Sequence, residues 1–417
     1  MKPPRYESRV VERFLEYVRY DTQSKEGAES YPSTPGQLVL LSRLADELRE
    51  LGAQDVAMDE HGYVFATIPE TTRKRGVPVI GFLAHVDTSP EMSGADVRPI
   101  VHRDYRGQDI ALPDDPSVLL RGTDHPALGE QIGNDIITAS GRTLLGADNK
   151  AGVAEIMGAA EYLLAHPEIV HGPIRIGFTP DEEVGNGTKF FDVAKFGARY
   201  AYTMDGESAG EVESETFSAD TFVATFQGVN THPGYAKGKM VNAIRVAADF
   251  ITRLPQDRLS PETTEGYEGY VHPYVFDASV DRTVVRVLVR DFQSAGLKDK
   301  EDALERWARE AEAAHPGCRL ETRIEESYRN MKEVLDLHPQ VIENAREGIR
   351  RAGLTLRERP IRGGTDGSRL CFMGLPTPNV FAGEHAFHSR SEWVSAHDMH
   401  KAVETIIEIA RVWEERT

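Results

Sequence analysis

Three short apolar segments in the first half of the chain lead into ionisable residues, and this pattern strongly constrains the fold. The segments are VPVIGFLAH, PIRIGFTP and RYAYTMD, which reach His85, Asp181 and Asp205. Short apolar runs bounded by turn residues are typical of buried strands in a mostly parallel sheet. Segments with helical periodicity, such as GVAEIMGAAEYLLAHP, alternate with them. The alternation predicts an α/β fold, a mostly parallel central sheet covered by helices.

The pattern changes after about Glu213. From SADTFVATFQGV to CRLETRIEESY the segments read strand, helix, strand, strand, helix, strand. This β-α-β-β-α-β order is typical of a ferredoxin-like α+β unit. Helix and strand patterns of the first kind then resume. We therefore predict a discontinuous domain of residues 1–214 and 331–417, with a second domain of residues 215–330 inserted into it.

Size and charge narrow the class of protein. A chain of 417 residues exceeds what one hydrophobic core usually supports, which agrees with two domains. The formal net charge of −19 argues against a nucleic-acid partner or an anionic membrane surface. Two cysteines are too few for a disulfide framework, and no signal peptide or spanning segment is evident. The composition favours a cytoplasmic protein.

The stretch GFLAHVDTSP places His85 and Asp87 at the end of a predicted strand. Side chains alternate along a strand, so these two point the same way if the extended geometry continues through Val86. Ligands of open α/β sheets bind beyond the carboxyl ends of the strands. Taken alone, the pair is equally compatible with a structural histidine that is hydrogen-bonded to a nearby acid.

Similar side chains follow other predicted strands or precede a helix. They are Asp148, Asp181, Glu182, Glu183, Asp205, His385 and His388. Gathering so many carboxylates in one cleft is costly unless cations neutralise them. A solvated acidic turn is the alternative for the DEE triplet alone, but its position after a strand favours a metal site.

The ligand types narrow the choice of metal. Imidazoles and carboxylates without a cysteine cluster suit zinc, cobalt or manganese better than magnesium or calcium. The side chains suffice for two ions that share a bridging carboxylate, an arrangement that activates water and polarises a carbonyl. The adjacent acids Glu182 and Glu183 suggest that one binds metal while the other transfers protons.

The motifs HVD, LLGADNKAG, TPDEEVG, MDG and FHSRSEWV, in this order, resemble those of the di-zinc exopeptidases. The longer stretches THPGYAKGKMVNA, ETTEGYEGYVHP, VRDF, ESYRNM and RPIRGGTDGSRLCFMGLPTPN resemble in particular the tripeptide aminopeptidases of that family. The resemblance runs from the first helix to the last. It implies an aminopeptidase that acts on short peptides, with an inserted domain that serves as lid and forms a homodimer.

The resemblance also implies roles for individual residues. The metal ligands would be His85, Asp148, Glu183, Asp205 and His388. Asp148 would bridge two divalent ions, most simply zinc, with cobalt or manganese as alternatives. One ion would also be held by His85 and Asp205, and the other by Glu183 and His388. His385 lies close to His388 and is an alternative ligand.

Two further acids would be catalytic. Asp87 would orient the imidazole of His85 and raise its basicity. Glu182 would take a proton from the metal-activated water as hydroxide attacks the scissile carbonyl, and would return it to the leaving amine.

The inserted domain contributes candidates for substrate binding. The resemblance implies that His232 corresponds to the histidine that, in these enzymes, reaches the active site of a neighbouring subunit and helps to hold the oxyanion. Arg290 and Arg362 could each pair with a peptide carboxylate, although a salt bridge to a neighbouring aspartate is an equal alternative. Asn242 is another candidate, but it could simply cap the following helix.

Two positions and one run differ from the pattern of the resembling enzymes. Asn149 stands where an aspartate is common, Glu207 stands where a small residue is usual, and SRSEW replaces a GKHEF-like run after His388. None of these changes removes a ligand, but metal affinity or preference could differ.

Three other functions are alternatives to an aminopeptidase. A related dipeptidase, carboxypeptidase or deacylase shares the fold. A two-metal phosphoesterase is disfavoured by the acidic balance and by the lack of a phosphate-binding loop. A non-catalytic metal-binding protein would not need the general base, yet Glu182 is present.

Overall fold

The computed structural model describes residues 6–417. Ten helices lie within these residues: α1 Val10–Tyr17, α2 Pro35–Leu51, α3 Ala147–Ala165, α4 Val193–Phe196, α5 Ala243–Arg253, α6 Ser294–Ala314, α7 Lys332–Leu335, α8 Pro339–Arg351, α9 Asp366–Phe372 and α10 Ala396–Glu415.

The strands of the same residues number eighteen: β1 Gln54–Met58, β2 Val64–Ile68, β3 Ile80–His85, β4 Ile100–His102, β5 Ile110–Leu112, β6 Asp115–Leu120, β7 Ile136–Thr138, β8 Ile174–Thr179, β9 Tyr200–Gly206, β10 Glu211–Glu213, β11 Ser218–Gln227, β12 Tyr270–Ala278, β13 Arg282–Asp291, β14 Arg319–Tyr328, β15 Arg357–Glu358, β16 Asn379–Phe381, β17 Glu384–His385 and β18 Trp393–Ser395.

The chain divides into two compact units. The larger comprises Met1–Ser214, Val334–Arg359 and Thr365–Thr417, and the smaller comprises Glu215–Glu333 and Pro360–Gly364. The segment Pro360–Gly364, which the sequence-based boundaries placed in the larger domain, therefore groups with the smaller unit.

The larger unit is built on an eight-stranded sheet in the order β1-β2-β8-β3-β9-β16-β10-β15. Its central strands β8, β3, β9 and β16 run parallel to one another, while β1, β2 and β10 add antiparallel pairings. All six residues of β3 are buried, as an apolar strand between two parallel neighbours requires. The predicted α/β fold with a mostly parallel central sheet is confirmed.

Helices α3 and α10 contribute much of the core beside this sheet. α3 is rich in alanine and glycine and is buried on nearly all sides, which agrees with its weakly amphipathic sequence. α10 buries apolar residues such as Ile406 and Ile409 in the same cluster. The strands β3, β8 and β9 therefore share one hydrophobic core with these two helices.

A second sheet in the larger unit was not predicted from the sequence. It has four short strands in the order β17-β18-β7-β4. Strands of two or three residues carry too little periodicity to be recognised. This sheet matters for the site because β17 and β18 flank the segment that contains His388.

The smaller unit has the predicted ferredoxin-like order, β11-α5-β12-β13-α6-β14. Its four strands form an antiparallel sheet in the order β12-β13-β11-β14. Apolar residues of α5 and α6, such as Phe250 and Leu304, pack in one cluster with Val285 and Val287 of β13. None of the helices within residues 6–417 is long and apolar enough to cross a membrane.

Candidate dinuclear metal site

His85 is the last residue of β3, and Asp87 lies directly beside its imidazole. His85 Nδ1 is 3.3 Å from Asp87 Oδ1 and 3.1 Å from the backbone oxygen of Asp87. The Asp87 side chain is fully buried. Because Asp87 holds Nδ1, the other ring nitrogen of His85, Nε2, points toward the remaining acids.

Asp87 also positions the loop that follows β8. Its two carboxylate oxygens accept the backbone N–H groups of Glu182 at 3.0 Å and Glu183 at 3.1 Å. Asp181 fixes the same loop from the other side, accepting the Ser33 N–H at 2.6 Å and the Gln37 amide at 2.7 Å. The DEE triplet is therefore an ordered loop, and the alternative of a solvated acidic turn does not apply.

Asp148 lies between two histidines that are far apart in the sequence. Its Oδ1 is 3.0 Å from His85 Nε2, and its Oδ2 is 3.2 Å from His388 Nε2. Asp148 is near the start of α3, at a kink where its ψ of 104° is not helical. One carboxylate thus faces two separate groups of ligands.

Within the described residues, two such groups offer ligand atoms that all lie within 4.8 Å of one another. The first group contains His85, Asp148 and Asp205, and the second contains Asp148, Glu183 and His388. Glu183 Oε2 is 2.9 Å from His388 Nε2, and Asp205 Oδ1 is 3.4 Å from His85 Nε2. The structure therefore brings together all five predicted ligands.

The atomic arrangement fits metal ions better than hydrogen bonds. Each histidine Nε2 faces two carboxylates, although an imidazole nitrogen has only one proton to donate. Ligand bonds of about 2.1 Å in a tetrahedral site place neighbouring ligand atoms about 3.4 Å apart. Glu183 Oε1 and Asp205 Oδ1 are buried and accept no hydrogen bond from the described residues. A cation in each group would satisfy these oxygens.

The protonation equilibria of the site show the same excess of negative charge. Burial, and next the charge of Asp148, raises the pKa of Glu183 to about 8. Burial lowers the pKa of His388, but its hydrogen bonds to Asp148 and Glu183 outweigh that effect and raise it to about 11. Burial also raises the pKa of Asp205. Divalent ions would offset both the cost of burying these carboxylates and the repulsion between them.

Glu182 belongs to neither group but lies near the first. It lines a cavity of about 10 Å³ together with His85, Asp205 and Asp366. Desolvation, and next the charge of Asp366, raises the pKa of Glu182 well above its usual value. A carboxylate beside a metal site that is not itself a ligand is placed to accept a proton from water and to give it back.

His385 does not join the ligand groups. Its ring is buried and stacks on Trp393, with 4.2 Å between the centroids and 17° between the planes. Burial is the first cause that lowers the pKa of His385 to about 3. The neutral ring is part of the packing, so His388 is the histidine that the structure offers to a metal.

Two acids near the site were not identified from the sequence. Asp366 accepts a hydrogen bond from Thr179 at 3.2 Å within the cavity that Glu182 lines. Glu392 accepts the backbone N–H of Asp148 at 3.0 Å. The only local signals were an acid in the glycine-rich stretch RGGTDG and an acid four residues after His388.

The two positions that differ from the expected pattern are also placed. Asn149 is buried, and its side-chain oxygen accepts the Gly152 N–H at 3.1 Å. Its amide nitrogen has no hydrogen-bond partner among the described residues. Burial raises the pKa of Glu207, and the charge of Arg359 opposes this shift. Neither residue enters a ligand group.

The substrate-binding candidates lie in the smaller unit and have different environments. His232 is exposed, and its Nδ1 accepts the Gly234 N–H at 3.1 Å. Asn242 caps α5 by accepting the Ile244 N–H at 3.0 Å, which is the structural alternative considered for it. Its predicted contact with substrate gains no support from this structure.

The two arginine candidates differ from each other. Arg362 donates to the backbone oxygens of Gly266 at 2.8 Å and Glu268 at 2.9 Å, and to Thr264, so its guanidinium holds a loop. Arg290 makes no ion pair within the described residues, and its guanidinium lies 5.5 Å from the ring centroid of Tyr328. Neither arginine forms the salt bridge that was its structural alternative. Of the two, Arg290 is the one left available to a carboxylate.

Comparisons with known proteins agree with this architecture. A family model described as a peptidase dimerisation domain matches residues 214–316. A protein of Geobacillus sp. named peptidase T is 45% identical over 407 residues, which cover 98% of this chain and 99% of that protein.

Solved structures share the fold at lower sequence identity. The aminopeptidase PepT of Bacillus cereus has a TM-score of 0.74 at 23% identity and covers 97% of this chain and 98% of its own. A tripeptidase of Staphylococcus aureus has a TM-score of 0.76 at 23% identity, covering 98% of both chains. The Bacillus subtilis YXEP protein, a dinuclear metal binding peptidase from the M20 family, has a TM-score of 0.65 at 16% identity and covers 98% of both chains.

Proposed function

The chain belongs to the peptidase T family of metal-dependent tripeptide aminopeptidases, and we propose that it releases the N-terminal residue of tripeptides with Glu182 as general base. The observation that carries the mechanism is the position of Asp148, whose two oxygens face His85 and His388 separately. A carboxylate placed in this way is suited to bridge two ions.

The residues that would hold the metals follow from the two ligand groups. His85, Asp148 and Asp205 would hold one ion, and Asp148, Glu183 and His388 would hold the other. Two divalent ions, when bound there, would lower the pKa of water and polarise a carbonyl oxygen. Each group offers three protein ligands, the number typical of catalytic metal sites.

Glu182 would manage the protons of the reaction. Its carboxylate takes a proton from water as the water oxygen attacks the scissile carbonyl carbon. The protonated Glu182 then donates that proton to the nitrogen of the leaving peptide as the C–N bond breaks. A carboxyl group can serve both steps when its pKa lies near the working pH, because each protonation state must then be reached in turn.

Asp87 would act through its neighbours. By accepting the imidazole N–H of His85, its carboxylate directs the unprotonated Nε2 toward the metal and makes the ring a stronger ligand. By accepting the N–H groups of Glu182 and Glu183, it also sets the separation between the general base and a ligand.

We propose zinc as the metal, with cobalt or manganese as alternatives, because the ligands are imidazoles and carboxylates without thiolates. The match of residues 214–316 to a peptidase dimerisation domain supports a homodimer formed through the smaller unit. The exposed His232 would then reach the active site of the partner subunit. A cytoplasmic location stays a prediction.

The function is tested with a peptide panel. Purified protein is stripped of metal, reloaded with zinc, cobalt or manganese, and assayed on free di-, tri- and tetrapeptides and on an N-acetylated tripeptide. The proposal expects the free tripeptide to be cleaved best and the acetylated one hardly at all. Preferred cleavage of a dipeptide, of the C-terminal residue or of the acetyl group would instead indicate one of the related exopeptidases or deacylases.

A further inference from the structure

Glu392 is a buried acid whose carboxylate is used entirely by backbone groups of a distant loop. The side chain is 1% exposed and lies directly before β18. Its Oε2 accepts the N–H of Leu145 at 2.6 Å and of Gly146 at 2.8 Å, and its Oε1 accepts the N–H of Asp148 at 3.0 Å. The carboxylate therefore holds the loop that carries the bridging aspartate.

The N–H groups that Glu392 accepts lie before the regular part of α3. Asp148, with a ψ of 104°, and Asn149, with a φ of −123°, are not helical, and the regular helix after them is capped locally by Asn149, whose side-chain oxygen accepts the Gly152 N–H at 3.1 Å. The donors of Leu145, Gly146 and Asp148 therefore belong to the loop that leads into the helix. Glu392 holds this loop from a position 244 residues from Asp148 in the chain.

Glu392 also belongs to the segment that carries His388. The backbone N–H of Glu392 donates to the Ser389 oxygen at 3.4 Å, so the two residues lie in one turn. Trp393, the next residue, begins β18 and pairs with Thr138 of β7. The turn is thereby anchored to the four-stranded sheet. The same side chain joins the segment of His388 to the loop of Asp148.

We propose that Glu392 is a positioning residue for the dinuclear site, which holds the Asp148 carboxylate at the distance from His388 that the second ion requires. The proposal rests on the proposed function only in taking the two ligand groups as metal sites. Without Glu392, the three N–H groups would lose their acceptor, and the loop would relax away from the His388 turn. The ion shared by Asp148, Glu183 and His388 is expected to be affected first.

The test measures metal binding rather than turnover alone. Glu392→Gln keeps the size of the side chain, but it removes the charge and turns an NH₂ group toward backbone N–H donors. Glu47→Gln is the matched control, because Glu47 is also buried and accepts from Arg13 at 2.6 Å and Tyr17 at 2.7 Å within the larger unit. The metal-free wild type and both variants are titrated with cobalt. The heat of binding and the visible absorption spectrum are recorded at each addition.

The wild type and Glu47→Gln are expected to bind two ions. Glu392→Gln is expected to bind one ion with unchanged affinity and the second about 10- to 100-fold more weakly, the range typical for partners of metal ligands. Its cobalt spectrum should then match that of the half-loaded wild type. At saturating metal, we expect kcat of Glu392→Gln to return toward the wild-type value while KM changes little. Loss of a merely structural contact does not predict such a recovery.

Two ions bound to Glu392→Gln with wild-type affinities and spectrum would overturn the proposal. If this variant does not fold, Glu392→Asp is used, since it retains the charge but falls short of the loop; it is expected to weaken the second ion as well, and normal binding would again overturn the proposal. Failure of the proposed function gives a different result. If the wild type binds two ions but does not cleave tripeptides, the proposed function fails while the role of Glu392 stands.

Discussion

Glu183 donates its backbone N–H to Asp87 Oδ2 at 3.1 Å. Asp87 therefore contacts His85, a predicted ligand of one ion, and also holds Glu183, a predicted ligand of the other. The neighbouring N–H of Glu182 is bound by the second oxygen of the same carboxylate at 3.0 Å. Asp87 is fully buried, and its side chain is therefore a fixed link between the strand end of β3 and the loop after β8. Orientation of both ion sites depends on it.

Replacing Asp87 with Asn should weaken both ions. The amide group has one oxygen instead of two, and its NH₂ group would face a backbone N–H of Glu182 or Glu183. We expect about a 10- to 100-fold loss of metal affinity, with a fall in kcat that excess metal restores only in part. Titration of the metal-free variant with zinc checks this, and unchanged affinities for both ions would contradict it.

Replacing Glu182 with Gln should separate chemistry from metal binding. The Glu182 side chain belongs to neither ligand group, so two ions should still bind. Turnover should fall about 10²- to 10⁴-fold, the contribution typical of general acid and base catalysis. Metal content by elemental analysis and kcat on a free tripeptide are measured on one sample. A variant within tenfold of wild-type kcat would show that another group takes the proton.

The two nearby histidines allow a matched comparison. His388→Ala should lose one ion, because His388 Nε2 lies within 3.2 Å of both Asp148 and Glu183 oxygens. His385→Ala should retain both ions and lower only the thermal midpoint, because it removes a ring that stacks on Trp393. Metal stoichiometry decides between the two. Loss of an ion from the His385 variant alone would reverse the assignment.

Much of this site could be predicted because its residues occupy positions that local patterns define. His85 and Asp205 end apolar strands, and parallel strands bring their carboxyl ends to the same edge. The resemblance to the di-zinc exopeptidases then narrowed the acids after β8 to particular roles. The ferredoxin-like order of the smaller unit could also be predicted, since its helices and strands are long enough to show their periodicity.

The remaining features depend on contacts that no local pattern encodes. Glu392 contacts a loop 244 residues away, and its neighbours in FHSRSEW show neither helical nor strand periodicity. The sequence makes Arg362 a candidate carboxylate ligand, yet its guanidinium donates to backbone oxygens of a loop 94 to 98 residues away. Such long-range hydrogen bonds follow from packing of the whole chain, which sequence periodicity does not describe.

Asp398 provides a pH-dependent test of the fold away from the metal groups. It is buried, accepts a hydrogen bond from Gln131 at 2.8 Å, and has a pKa that burial raises from 3.8 to about 7. Between these values the folded state keeps a proton that the unfolded state has released. The protonated Asp398 side chain therefore contributes its full stabilisation at low pH. As the pH rises to about 7, this contribution to the free energy of unfolding is lost, by up to about 1.4 kcal/mol per pH unit.

Asp398→Asn should accordingly gain stability relative to the wild type as the pH increases from 5 to 8. Asn can still accept the Gln131 hydrogen bond but never becomes charged. Denaturant unfolding with metal held at saturation checks this, with Asp109→Asn, at an exposed position, as control. A difference between Asp398→Asn and the wild type that stays constant over this pH range would show that Asp398 ionises freely in the folded protein.

The two arginine candidates should respond differently to substitution. Arg290 makes no ion pair within the described residues, because its neighbour Asp291 pairs with Lys300 instead. A guanidinium without a carboxylate partner can bind the C-terminal carboxylate of a peptide. Arg290→Gln should therefore raise KM for a tripeptide at least tenfold and leave KM for the tripeptide amide unchanged. Arg362→Gln should lower the thermal midpoint, since its hydrogen bonds hold a loop, while the preference for acid over amide persists. The reverse result would make Arg362 the carboxylate ligand.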